Sequence, residues 1–180
     1  MILVAGESLI DLIVGPDDGV NASPGGGPFN AARTIARLGQ PTRFLGRFSA
    51  DPFGQLLAGK LAEDGVELAV PGWIPEPTAL AIVALGARGV PEYWFHLAQT
   101  AGFVLDQPTA QQALQADVTA LHIGSLGLVV EPMAAELSAW WTGSRQTCCY
   151  CSTPTGGPRP SRTRTSTGPG SGASCPGPTS

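Results

Sequence analysis

Gly25-Gly26-Gly27-Pro28-Phe29-Asn30-Ala31-Ala32-Arg33-Thr34-Ile35-Ala36-Arg37-Leu38-Gly39 is the stretch on which the fold turns. Three glycines end a loop. Pro28 follows, and proline suits a first helical position because its φ is fixed near helical values and its missing N–H would be unpaired there anyway. Phe29, Ala32 and Ile35/Ala36 then recur at helical spacing, and Gly39 stops the helix. A bare loop therefore feeds a helix N-terminus, with Asn30 in its first turn. Glycines lacking Cβ let a ligand approach the main chain. Free N–H groups beside an amide side chain suit a polyhydroxylated or anionic ligand. Glycines alone would fit a tight packing loop; Gly-Gly-Gly-Pro-Phe-Asn at a helix start favours a ligand loop.

Outward from this loop, strands and helices alternate. Ile2–Ala5, Leu9–Val14 and Thr42–Leu45 read as strands. Asp51 reads as the N-cap of a helix that has Pro52 at its first position and turns Phe53, Leu56, Leu57 and Leu61 inward, with Gly65 ending it. Leu80–Leu85 and Glu92–His96 flank Gly86-Ala87-Arg88-Gly89, a β-hairpin pattern. Pro108–Ala116 reads as helix, Val118–Ile123 as a buried strand, and Pro132–Trp141 as the start of another helix. The expected class is α/β, a mostly parallel sheet covered on both faces, with a small hairpin.

The loop is neither a dinucleotide fingerprint, which needs G-x-G-x-x-G directly after the first strand, nor a P-loop, since no Gly-Lys-Ser/Thr follows. Four segments together resemble the PfkB (ribokinase-like) sugar kinase family, in its fructokinase-like branch. They are the glycine loop with its Asn30 and Leu38-Gly39, the opening Gly6-Glu7-Ser8-Leu9-Ile10-Asp11-Leu12-Ile13, the segment Gly46-Arg47-Phe48-Ser49-Ala50-Asp51-Pro52-Phe53-Gly54, and His122-Ile123-Gly124-Ser125-Leu126. Such a kinase transfers the γ-phosphoryl group of ATP to a sugar hydroxyl, using Mg²⁺. The resemblance implies that residues 1–141 form the N-terminal part of a ribokinase-like domain, with a lid at about 79–97. Asp11 is then the sugar-anchoring acid, and Gly26, Gly27 and Asn30 contact further hydroxyls. Asp11 is also a lone charge in an apolar run, which needs a partner. Tyr93, Phe95 and His96 are candidate lid contacts, with His96 more simply a half-buried lid residue. His122 reads as structural and Asp51 as a helix cap. In the family, a Gly-Ala-Gly-Asp segment carries the anion hole and the catalytic Asp, and an Asn-x-x-Glu motif organises Mg²⁺. Both lie far C-terminal. No Gly-Ala-Gly-Asp exists here, so no catalytic residue, metal ligand or ATP site is assigned and the chain is expected to be inactive. The full-length relative is expected to form a homodimer through the lid. The rivals are a nucleoside kinase of the same fold, a non-catalytic sugar-binding or regulatory module, and an unrelated α/β protein with a chance glycine loop.

Composition narrows the classes. A net charge of −4 without a basic stripe argues against a nucleic-acid surface. No apolar run is long enough to span a membrane. Met1-Ile2-Leu3-Val4-Ala5 lacks a basic n-region and reads as a buried strand, so a cytoplasmic protein is expected. A half-length α/β domain is expected to leave one face and edge of its sheet uncovered.

The composition breaks at residue 142. All 14 acidic residues precede it, and Gly, Pro, Ser and Thr make up 28 of the last 39 positions, so 142–180 reads as a disordered tail. Cys148 and Cys151 stand at C-x₂-C spacing, but the adjacent Cys149 and the distant Cys175 make no second such pair and no histidine is near, so a metal site is a poor reading. A shifted reading frame explains the break. Joining each codon's last base to the next codon's first two gives Val from Trp140/Trp141 and Asp from Trp141/Thr142. Leucine is forced from Cys148/Cys149, Cys149/Tyr150 and Tyr150/Cys151. The following triplets permit Asp-Pro-Asn-Trp-Arg-Pro, and the resembled kinases have a hydrophobic strand ending in Asp-Pro-Asn-x-Arg-Pro at this point. A source rich in G and C, as the single lysine (Lys60) and abundant Ala, Gly, Pro and Arg suggest, makes the needed codons available. The gene is therefore expected to spell Val-Asp, Leu-Leu-Leu and Asp-Pro-Asn-x-Arg-Pro in the alternate frame from about codon 140, continuing open to a Gly-Ala-Gly-Asp. Sequencing this region checks it; a stop codon within a few triplets removes the explanation.

Overall fold

The computed structural model describes residues 1–15, 19–85, 90–113, 116–143 and 148–152. In chain order these form β1 (Ile2–Ala5), β2 (Leu9–Val14), β3 (Val20–Gly25), α1 (Gly27–Arg37), β4 (Thr42–Leu45), β5 (Phe48–Ser49), α2 (Pro52–Glu63) and β6 (Glu67–Leu68). β7 (Trp73–Ile74), β8 (Leu80–Leu85), β9 (Pro91–His96), α3 (Gln107–Ala113), β10 (Ala120–Gly124), α4 (Met133–Gly143) and β11 (Cys148–Ser152) follow. Two 3₁₀ turns, Ala101–Phe103 and Ser125–Leu128, complete the list.

The main sheet has the order β11-β10-β1-β4-β6, and every neighbouring pair is parallel. A parallel sheet has to be covered on both faces, and β1 shows how the alternation of a strand achieves this. Val4 points into a core with Phe29 and Ala32 of α1, Phe44 of β4, and Leu57 and Leu61 of α2. Leu3 and Ala5 point the other way, among Ala110 and Ala113 of α3, Leu121 and Ile123 of β10, and Met133 and Leu137 of α4. Two helices thus lie on each face, and the expectation of an uncovered face does not hold for this sheet. On the first face, Phe44 meets Phe29 edge-on at 6.5 Å and Phe48 at 5.9 Å.

In a second sheet, β3-β2-β8-β9, the chain runs out from the body on β2 and on β8 and comes back on β3 and β9. β2 and β8 are parallel, while β3 and β9 pair antiparallel on the outside. The expected hairpin is β8–β9; its turn, residues 86–89, lies outside the described residues. Asp51 caps α2 as expected, accepting from Gly54 N at 2.7 Å. It also accepts from Thr78 N at 2.8 Å and Thr78 Oγ1 at 2.7 Å, which pins the segment entering β8 to the body.

Several sequence expectations are corrected. Leu56 is exposed rather than inward, because Leu57 and Leu61 already fill the buried face of α2. α1 starts at Gly27, so Pro28 is its second residue. α3 ends at Ala113, and β10 begins at Ala120 rather than Val118. β3 was not expected from Val-Asn-Ala-Ser-Pro-Gly; Pro24 and Gly25 are tolerated because β3 is an edge strand paired only to β2. In the segment expected to hold little regular structure, Cys148–Ser152 forms β11 on the edge of β10. Backbone pairing to a ready parallel template needs no large apolar side chain. Residues 153–180 lie outside the described residues.

Phe44→Ala is expected to destabilise the fold by about 3–5 kcal/mol, the cost of emptying an aromatic core site. Leu38→Ala, at a side chain 74% exposed, should change stability by no more than about 0.5 kcal/mol. Urea unfolding of both variants checks the pair.

Candidate functional site

The chain crosses between the two sheets at Gly6-Glu7-Ser8, on the way from β1 to β2, and again at Gly25-Gly26, between β3 and α1. These crossings put Asp11 and the glycine loop together. Asp11 lies in the middle of β2, and its carboxylate rests on Gly25, where a Cβ would overlap Asp11 Oδ2. Gly26 has φ +107°, a backbone that side chains rarely adopt, and a Cβ there would sit 2.8 Å from the Glu7 carbonyl oxygen. Both glycines are therefore required by close approach.

Asp11 is half-buried and has no hydrogen-bond or ion-pair partner among the described residues; burial alone pushes its carboxyl above the usual value. A lone acid in an apolar strand needs a partner, and here the open side of the carboxylate faces none supplied by the described chain. Register across the second sheet gives its neighbours. Ser23, Asp11, Ala81 and Phe95 form one cross-strand row. Directly opposed residues share a face, so Phe95 lies on the Asp11 face, and so does Tyr93 two residues away. Their rings stack at 5.9 Å and 9°, and both are largely exposed. His96 alternates to the other face, opposite Leu80, and is exposed rather than half-buried. It therefore does not share the face of Asp11.

Asn30 is exposed in the first turn of α1, where its N–H serves the helix by donating to Gly26 O at 3.0 Å. Gly27 is less free than the sequence suggested. Its N–H donates to Glu7 Oε1 at 3.2 Å, so it is not left as a donor for a ligand, and the place of its missing Cβ is filled by Ser125. Glu7 was the residue that sequence reasoning passed over. It is fully buried, and its Oε2 accepts from Gly127 N at 2.8 Å. Burial is the largest influence on its carboxyl and pushes it up; its own N–H, the Ser125 hydroxyl and the Gly127 and Gly27 N–H groups oppose this. The available signal was an acid between Gly6 and Ser8 at the end of a buried strand, a place that tolerates a carboxylate only if donors surround it.

No group of three or more His, Cys, Asp and Glu side chains gathers to hold a metal ion among the described residues. His122 is half-buried in β10, and burial lowers its basicity.

Residues 1–154 match the family described as pfkB family carbohydrate kinase. Fructokinase-2 of Solanum lycopersicum is 34% identical over 143 residues, covering 75% of this chain and 44% of that protein. The chain spans about half the length of the curated relatives it matches. The crystal structure of fructokinase from Xylella fastidiosa superposes with a TM-score of 0.75 at 27% identity, over 87% of this chain and 55% of that one. The same enzyme with bound ATP gives a TM-score of 0.74 at 26% identity over the same shares.

Gly25→Ala is expected to push the Asp11 carboxylate off its seat and weaken ligand binding at this face at least as much as Asp11→Asn. Ligand hydroxyls donate more strongly to the ionised carboxylate, and protonation turns one of its two oxygens into a donor, so binding should fall as pH drops through the raised Asp11 value and be flat above it. Titration of the chain with fructose from pH 4 to 8 checks both.

Proposed function

Since the chain belongs to the pfkB family of carbohydrate kinases, we propose that it carries the sugar-binding half of an ATP-dependent kinase acting on a hydroxyl of a fructose-like sugar. The observation that carries the reading is the unpartnered, half-buried Asp11 seated on Gly25 beside the glycine loop. Asp11 accepts hydrogen bonds from two sugar hydroxyls and fixes the ring, and Asn30 adds a side-chain amide. The ring lies against the main chain of Gly26 and Gly27. Phe95 and Tyr93, on the same face, give the lid a flat apolar surface for the C–H side of the sugar. Orienting one hydroxyl in this way is the positioning part of phosphoryl transfer.

The base, the anion hole and the nucleotide contacts of the reaction are not among residues 1–180, in which no Gly-Ala-Gly-Asp occurs. We assign them to the alternate frame beyond about codon 140. The composition break supports this. We place the full-length protein in the cytoplasm, as a homodimer paired through its lids.

The test is ATP-dependent phosphate transfer to a panel of fructose, other hexoses, ribose and nucleosides. The chain of 180 residues is expected to bind fructose weakly without turnover, and a frame-corrected chain to turn over. Turnover by the chain itself, lost in Asp11→Ala, overturns the assignment of the catalytic groups to the missing half. A preference for nucleosides over free sugars overturns the fructose-like acceptor.

A further inference from the structure

Glu7 lies at the crossing from β1 to β2, yet its carboxylate holds neither strand. One oxygen takes the N–H of Gly27, the first residue of α1, at 3.2 Å. The other takes the N–H of Gly127, in the 3₁₀ turn after β10, at 2.8 Å. The Ser125 hydroxyl of the same turn also bonds the carboxylate. These contacts join the start of α1 to the turn after β10. α1 has no side-chain cap of its own, because its N-cap is Gly26, so Glu7 supplies the acceptor that the helix start lacks. The fit between the segments is close. A Cβ on Gly27 would lie 2.8 Å from Ser125 Cβ, and one on Gly127 would lie 3.3 Å from Glu7 Oε2 and 3.2 Å from Gly6 Cα. Ser125 holds φ at +63°, a left-handed backbone for a residue with a side chain.

We propose that Glu7 is the positioning residue of the sugar site: its two oxygens clamp the Gly27 end of the glycine loop to the Ser125–Gly127 turn, and this clamp sets where the loop stands relative to Asp11. The inference rests on the sugar-binding reading of that loop. Glu7 touches no sugar itself. It takes up the one N–H that Gly27 could have offered and fixes the loop's height above the sheet.

The geometry specifies what each substitution does. Glu7→Gln keeps the volume and one acceptor but turns an amide donor toward one of the two N–H groups. Glu7→Asp keeps both oxygens on a side chain one methylene shorter. Ser125→Ala removes one donor and leaves both backbone bonds.

The experiment uses the whole chain, labelled with ¹⁵N. It follows amide exchange at Gly27 and Gly127 together with fructose binding, read from chemical-shift changes. In the parent, both amides are expected to exchange slowly. In Glu7→Gln, at least one of the two should exchange roughly tenfold faster or more, the loss of one buried bond to a charged acceptor. Amides of β1 and β4 should keep their rates, while fructose affinity falls by a similar factor. Ser125→Ala should keep both amides slow and lose less affinity. Three results overturn the proposal. One is Glu7→Gln with parental affinity. Another is faster exchange spread evenly over β1, β4 and the loop, which marks a general loss of stability. The third is a parent that protects both amides but binds no fructose, ribose or nucleoside. That last result removes the sugar reading as well and leaves Glu7 a plain structural tie, whereas the first removes only the positioning role.

Discussion

The buried carboxylate of Glu7 accepts N–H groups from Gly27 and from Gly127, the latter 120 residues further along the chain. A carboxylate with no exposure to water is costly unless its lone pairs are filled. Here they are filled by the backbone of two loops, so the loops have to stay where the carboxylate is. The glycines follow from this constraint. Gly26 passes within 2.8 Å, at its Cβ position, of the Glu7 carbonyl, and Gly27 packs against Ser125. Any side chain there would lift the loop off its acceptor. The bare loop is thus a requirement of the packing.

The second constraint is the division of labour between the sheets. The parallel sheet is covered by α1 and α2 on one side and α3 and α4 on the other, and it acts as the fixed platform. The smaller sheet continues from it through β2 and β8 and carries Asp11, Tyr93 and Phe95 on one face. Asp51 pins the segment entering β8 through Thr78. Burial raises the Asp51 carboxyl, but the bonds from Gly54 and Thr78 outweigh it and hold the group below its usual value. Its contribution to stability is therefore present above the ordinary carboxylate range and is lost as pH falls through the depressed value. Glu7 has the opposite sign: its raised value makes the folded state bind the proton more tightly than the unfolded one, so its contribution declines as pH rises through that value.

Much of this was legible in the residues because the signals were local. Proline and glycine punctuation placed α1 and α2 to within a residue or two, short runs between such signals placed β1, β2 and β4, and Gly86-Ala87-Arg88-Gly89 placed the hairpin. Asp11 stood out as a charge inside an apolar strand. What stayed hidden depended on contacts between distant segments. The role of Glu7 needs Gly127, and the loss of the Gly27 N–H as a donor needs Glu7. The exclusion of His96 from the Asp11 face needs the register of β9 on β8, which a single strand does not carry. β3 was invisible because an edge strand can be built from Asn, Ser and Pro when one neighbour supplies the pairing. β11 was invisible for a related reason, and the match to the family reaches residue 154, past the composition break.

The most direct test of the central claim is a crystal structure of the chain with fructose bound. The account predicts a sugar whose hydroxyls meet the Asp11 carboxylate and the Asn30 amide, with its ring against the Gly26–Gly27 backbone under Phe95, and with Glu7 still holding Gly27 and Gly127. A sugar on the opposite face beside His96, or one bound at the loop with Glu7 released from Gly27, would contradict it.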